Sequence, residues 1–289
     1  MKKSIPFLLL CFLTTIVGAQ YKSLLWKISG NVLKEPSYLF GTMHTADSRV
    51  VTLGNKLADS YFKSAKAYAM ELDPGEELNM NILDKLMMGD GYSLSKMIPP
   101  KEYALLDSLV VKQTGLPMAM FDNIAPVFVM TIFESMSMGL MDSSTGDDAQ
   151  ILDINFYNQA KDEYKKIIGI ETSEEQLKAL STLSYKEQAE LLVQEIDSFQ
   201  ANQSDGTDLV KYYLAQNLDK LAESDNDVEK NGKFYKALVI DRNESMANRI
   251  AEFIKNQSTF IAIGAMHLPD KEGVIERLRE KGFKVEPVK

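Results

Sequence analysis

The apolar positions of this chain change their spacing several times. Residues 24–29 alternate as a strand does, with Trp26 on one face. Gly30-Asn31 marks a turn, and residues 37–40 resume as a second apolar strand ending at Gly41. Residues 50–64 switch to helical spacing through Val51, Leu53, Leu57, Ala58 and Phe62; residues 67–70 then form a short strand stopped by Pro74. The middle reads as helix, over 77–88, 101–114, 125–139, 149–162, 173–182, 185–199, 206–222 and 229–256, with a strand at 166–170 ending at Glu171. Pro99-Pro100 starts the second of these helices and Gly115 stops it, while Ser173-x-x-Gln176 and Ser184-x-x-Glu187 read as capping boxes. The segments 141–148 and 223–229 read as acidic loops. The end repeats the beginning: a strand at 259–263, a loop at 264–270, an amphipathic helix at 273–281 and a last strand at 284–288.

This pattern predicts an α/β fold. Its central mixed sheet is built from both chain ends with βα units, and a large helical insertion spans about 76–255, interrupted by a strand near 165–171. The closing strand–helix–strand unit predicts a parallel pair with a right-handed crossover, and residues 37–71 read the same way. No linker rich in Gly, Pro or Ser divides the chain, so residues 20–289 read as a single domain. The first nineteen do not belong to it. Lys2 and Lys3, an apolar run over 5–17 and the small residues Val17-Gly18-Ala19 have the layout of a secretory signal peptide. Cleavage after Ala19 would send the remainder to a periplasmic or extracellular location. That mature chain would carry neither a cysteine, since Cys11 lies in the leader, nor a transmembrane segment.

Composition narrows the function. With 289 residues, 45% of them hydrophobic and 25% charged, the chain is ordinary globular protein rather than disordered, collagenous or disulfide-built. A net charge of −9 without a basic stripe argues against nucleic acid as a partner. One Cys and two His exclude any site that needs a cysteine cluster or three histidines. Both histidines stand in one repeated motif, Gly41-Thr42-Met43-His44 and Gly264-Ala265-Met266-His267, and each motif follows an apolar strand. In open α/β sheets, ligands bind where loops converge at the carboxyl ends of strands. A glycine there would let the backbone turn sharply and bring His44 and His267 together over the sheet edge. Glu71 and Glu171 end two further strands, so four strand ends offer His, Glu, Glu and His. Two imidazoles with one or two carboxylates suit a divalent transition ion (Zn, Mn, Co or Fe), with a second carboxylate free to act as general base. The bland readings are buried histidines satisfied by carbonyls, a solvated Glu71, a Glu171 favoured by a helix dipole, and an Arg242 that merely pairs with carboxylates. The six methionines of 118–141, at helical spacing, read as core.

Several stretches resemble the TraB/GumN family, which includes the Tiki-type proteases. They are LWKISGN…PSYLFGTMH, AMELDP, GIETSEEQ, DRNESMANRI and FIAIGAMHLPDKEGVIERLREKGFKVEPV, and the likeness runs over nearly all of residues 24–288. The resemblance implies an exported, metal-dependent, peptidase-like hydrolase acting on a peptide or small-molecule substrate. A divalent metal (Mn, Co or Zn) would sit on His44, His267 and Glu71. Glu71, Glu171 and Arg242 would be the catalytic set, and Asn243 falls in a further family motif. The family also resembles the erythromycin esterase and ChaN-like haem-binding folds. Two alternatives therefore stand beside the first: a metal-independent His/Glu esterase-type hydrolase, and a non-enzymatic peptide- or haem-binding protein. Asp270 departs from the family, where many relatives carry Gly after Leu-Pro; the loop, not the ligand set, is expected to change.

Overall fold

A computed structural model of the protein describes residues 21–45, 47–75, 86–89, 91–137, 151–200, 207–224 and 232–288. The leader at 1–19, most of the helix expected at 77–88 and most of both acidic loops lie outside the described residues.

The chain opens with strand β1 (Leu25–Ser29) and strand β2 (Ser37–Thr42), followed by helix α1 (Ser48–Ser64) and strand β3 (Ala67–Met70). The insertion supplies α2 (Pro100–Thr114), α3 (Pro126–Ser137), α4 (Leu152–Asp162), strand β4 (Lys166–Gly169), α5 (Ser173–Leu180) and α6 (Tyr185–Gln200). It continues with α7 (Thr207–Leu214), α8 (Leu218–Ser224) and α9 (Asp241–Phe253), and the chain closes with β5 (Thr259–Gly264), α10 (Val274–Glu280) and β6 (Lys284–Pro287). The strands form one mixed sheet in the order β4-β3-β5-β2-β1-β6. The expected α/β architecture, with strands from both ends and a helical insertion, is the one observed.

The four strands β4, β3, β5 and β2 run parallel, and β1 lies antiparallel between β2 and β6. β5 is the middle of the parallel set, and Phe260, Ile261, Ala262 and Ile263 are all fully buried. A near-continuous apolar run is what a strand covered on both faces requires. On one face Phe40, Tyr68 and Phe260 meet Phe62 of α1 and Phe156 of α4 in an aromatic cluster with ring centroids 5.3–6.5 Å apart. A second apolar cluster gathers Leu106, Val110, Met118, Val127, Phe133, Leu192 and Ile196 inside the insertion, away from the sheet. Met118 is buried there and Met130 packs against the cluster, as the core reading of the methionine run expects, whereas Met120 is exposed.

Four local readings change. β5 and β6 point the same way but are not a parallel pair, because β2 and β1 lie between them, and the strands of the 37–71 unit, β2 and β3, are likewise parallel but separated by β5. The helix expected over 206–222 is two helices, α7 and α8, broken at Gln216, which adopts a left-handed φ of 54°. Asn217 then caps α8, accepting from the Lys220 N–H. The stretch 229–256 is likewise not one helix, since a π-helical turn at Lys236–Ile240 precedes α9. The first capping box is Thr172 with Glu175, one residue ahead of the expected pair, which frees Gln176 for another partner.

In the β1–β2 hairpin, Gly30, Asn31 and Val32 all have positive φ (76°, 40° and 64°). Gly and Asn tolerate that region, but a β-branched residue does not. Val32 is 83% exposed and so gains nothing from burial. Val32→Asn is expected to stabilise the fold by about 1 kcal/mol, read as a raised urea midpoint with an unchanged slope.

Candidate functional site

The register aligns the carboxyl ends of the parallel strands. Thr42 pairs with Gly264, and Met70 lies between Gly169 and Ala262. Pairing of β3 with β4 runs on past the strands, since the Glu171 N–H donates to the Glu71 carbonyl at 2.8 Å. Glu71, Glu171, His44 and His267 therefore leave four neighbouring strands at one edge.

Glu71 is held at both oxygens. Its Oε1 accepts from the Gly264 N–H at 2.7 Å, and its Oε2 from Arg242 Nη2 at 2.9 Å. Arg242, at the start of α9, reaches back to the sheet and also clamps Glu171 through Nε and Nη2, at 2.7–3.1 Å. Gln176 donates to Glu171 at 3.2 Å. The guanidinium Nη1 donates to the Leu238 carbonyl, in the π-helical turn that leads into α9. Glu171 is thus buried and fully engaged, and Glu71, with its side chain 20% exposed, is the more accessible of the two carboxylates. The carboxylate-partner reading of Arg242 matches its position.

His267 is buried in the short turn after β5, and its Nδ1 lies 2.6 Å from Asn243 Oδ1. The Asn243 amide nitrogen donates to the Glu272 carbonyl at 2.8 Å, which fixes which end of the amide is oxygen. His267 must therefore donate from Nδ1, leaving the Nε2 lone pair uncommitted. His44 behaves differently. Its side chain is 58% exposed, and its Nε2 stands 3.3 Å from Oδ2 of Asp153, on α4. Thr42 Oγ1 donates to the other Asp153 oxygen at 2.7 Å.

Both motif glycines are needed for space, not for a sharp turn; neither has a positive φ. A Cβ at Gly41 would come within 3.1 Å of Ala265, so the first motif packs directly on the second. A Cβ at Gly264 would lie 3.2 Å from Glu71 Oε1 and 3.5 Å from His267 Cδ2, which places that carboxylate and that imidazole side by side. Asp270 takes a φ of 75°, the conformation that a glycine adopts freely, and His267 keeps its place beside it.

The charges are coupled. The Asp153 hydrogen bond raises the His44 pKa to about 9 against the opposing effect of burial, with Asp153 and Glu71 charge adding to it. Burial pushes the His267 pKa down, and the nearby Glu71 does not make up the difference. Burial alone would raise Glu71, but His267, Arg242, the Gly264 N–H and His44 together hold it below the usual carboxylate range. The two imidazoles feel each other and share Glu71, so opposite ends of the chain do meet in one electrostatic neighbourhood. The ligand shell is not closed: among the described residues no three His, Cys, Asp or Glu side chains form a ready metal-holding group. Sequence reasoning missed Asp153, which looks like any acid in the first turn of a helix, and left Asn243 without a role.

The family model of TraB/PrgY/gumN matches residues 24–287. Among curated proteins, the chain is 25% identical over 317 residues to the metalloprotease TIKI2 of Danio rerio, covering 91% of this chain and 60% of that protein. It is 25% identical over 324 residues to the metalloprotease TIKI1 of the same fish, covering 94% and 64%. A metalloprotease TIKI homolog of Nematostella vectensis is 24% identical over 328 residues, covering 93% and 68%. The chain thus spans about three fifths of the length of the first curated relatives it matches. No solved structure matches at a comparable level of significance.

Two outcomes follow from the geometry. With only two histidines, an NMR titration of the metal-free protein resolves both: His44 is expected to titrate near pH 9 and His267 below its ordinary range, and Asp153→Asn to bring His44 down. Because folding raises the His44 pKa, its stabilising contribution is full below about pH 6.5 and drains away as pH rises towards 9. Arg242→Met leaves two carboxylates facing each other without a cation, and is expected to cost about 3–5 kcal/mol at neutral pH. That loss should shrink as pH falls, starting above the ordinary carboxylate range because burial and mutual repulsion favour protonation of the uncompensated acids, as urea unfolding at a series of pH values would show.

Proposed function

The chain belongs to the TraB/PrgY/gumN family, and from that premise and the geometry of the strand ends we propose that it is a metal-dependent hydrolase of peptidase type. The observation that supports this most is the meeting of His267, Glu71 and His44 at the ends of β5, β3 and β2. The metalloprotease names of the relatives agree with it.

The donor set suits a divalent ion. Each histidine has one nitrogen facing an acceptor, which leaves the other to offer once His44 gives up its second proton, and Glu71 lies beside His267. Glu71, Glu171 and Asp153 carry three negative charges, against a guanidinium and one imidazolium. The neighbourhood is therefore net acidic before any ion arrives. The Asp153 Oδ2 atom is buried without a well-aligned hydrogen bond, which adds unspent acceptor capacity. His44, His267 and Glu71 would hold the ion, and closing the shell would call for reorientation of the exposed His44 side chain. Bound there, a Mn, Co or Zn ion would lower the pKa of water and polarise a substrate carbonyl.

The chain's own residues do the rest. Arg242 fixes Glu71 and Glu171 and helps to hold Glu71 below the usual carboxylate range. Glu71, held at Oε1 by the Gly264 N–H and at Oε2 by Arg242, keeps further lone pairs on both oxygens with which to bind the ion or take a proton. The guanidinium also adds positive charge beside Glu71, which would favour negative charge developing on a substrate oxygen there. The substrate is proposed to be a peptide, and export by the leader at 1–19 is part of the same proposal. A metal-free reading draws on one observation, the His44–Asp153 pair, which would take a proton from water only where His44 is neutral, towards pH 9 and above.

Elemental analysis of protein purified without chelators separates the two. The metal reading expects about one divalent ion per chain, lost in a His44→Ala/His267→Ala double variant, with peptide hydrolysis abolished by chelation and restored by Mn, Co or Zn. Equal, negligible metal in both proteins would overturn it, and chelator-resistant turnover that still needs His44 would establish the metal-free reading.

A further inference from the structure

The two histidines have unlike supports. His267 is backed by a neutral amide oxygen, buried and locked by a second hydrogen bond. His44 is backed by a carboxylate that comes from another element, the first turn of α4. Asp153 is 9% exposed, and its Oδ1 is fixed by Thr42, two residues before His44 on the same strand end. Among the described residues, two buried side-chain atoms lack a hydrogen-bond partner, and one of them is Asp153 Oδ2. The other, the Tyr68 hydroxyl, is buried where Asp153 is the charge it feels most. A buried carboxylate oxygen left without a donor is costly, so its position calls for a partner. The donor it faces is His44 Nε2 at 3.3 Å.

We propose that Asp153 is the positioning residue of His44, taking up its Nε2–H so that His44 presents Nδ1 to the ion while His267 presents Nε2. This rests on the reading of the two histidines as metal ligands. The chemistry is that of the carboxylate–histidine–metal arrangement, in which an outer acceptor fixes ring orientation and tautomer and makes the inner nitrogen a better donor. Here it operates at one histidine only, since an amide oxygen does the same work at the other without a charge. His44, being more than half exposed, depends on Asp153 for its orientation, whereas His267 is also confined by burial.

The test uses the 15N-labelled full chain, loaded with Zn2+ and followed by long-range 1H–15N correlation, which a protein with two histidines renders unambiguous. The expected spectrum shows His44 with Nε2–H and a ligated Nδ1, and His267 with Nδ1–H and a ligated Nε2. Zn2+ affinity is expected to fall 10–100-fold in Asp153→Ala. Asp153→Asn, whose amide oxygen can still accept from Nε2–H while Thr42 turns to accept from the amide, is expected to recover to within about tenfold of wild type. Thermal unfolding of both variants shows whether any loss is one of folding, and the Asn variant guards against collapse of the Ala one. A ligated Nε2 on His44 would overturn the proposal, as would an Asn variant as weak as the Ala one, which would make Asp153 a ligand and not a support. If wild type takes up no Zn2+, the metal reading fails by itself. The metal-free spectrum then decides on Asp153: a hydrogen-bonded Nε2–H signal of His44 that Asp153→Ala removes supports the pairing, and a signal unchanged in that variant refutes it.

Discussion

Two glutamates leave adjacent parallel strands and are joined backbone to backbone, so their carboxylates are forced into proximity. The guanidinium of Arg242 makes that arrangement tolerable. It meets Glu71 with one nitrogen and Glu171 with two, and braces itself on the carbonyl of Leu238. Everything else at the sheet edge depends on this contact. It fixes the rotation of α9, and that rotation in turn points Asn243 at His267. A helix turned by a fraction of a residue would leave either the acids without a cation or the imidazole without its acceptor. The π-helical turn just ahead of α9 sits where the helix phase is set, a common position for such turns near functional groups.

The site is consequently rigid on one side and open on the other. Glu71, Glu171, Arg242, Asn243 and His267 form a connected, mostly buried network in which nearly every polar atom is engaged. His44 stands across from it with its ring largely in solvent and a single carboxylate behind it. Polar networks at low dielectric specify geometry strongly, because a partner lost there is not replaced by water. A substrate would therefore meet a preformed acidic and basic wall on the β3–β5 side and an adjustable imidazole on the β2 side.

Much of this was readable in the residues. The strands announced themselves through short apolar runs, and their parallel direction through the strand–helix–strand units at both ends of the chain. The two G-x-M-H motifs put both histidines at strand ends, and Glu71 and Glu171 followed the same rule. What escaped had weak local signals. Asp153 lies in the first turn of a helix, where acids are favoured for reasons unrelated to chemistry. The break between α7 and α8 turns on Gln216 in a left-handed conformation that sequence patterns reserve for glycine. The order of the sheet escaped too, because pairing of β5 between β3 and β2 is a long-range choice that no window of residues encodes. The motif glycines were identified for the wrong physical reason: they make room for a neighbouring segment, which pattern reading along one strand does not reveal.

The position of β5 bears on how the molecule comes into being. It follows β1 to β4 in the chain, yet it sits between β3 and β2 in the sheet, and its following turn packs on Gly41. Until it arrives, β1–β2 and β3–β4 can exist only as two separate ribbons with bare edges, and loop closure across most of the polypeptide must precede the contacts that reward it. The strand ends that carry His44, Glu71, Glu171 and His267 are thus brought into line only when one strand from beyond the helical insertion joins two separate ribbons.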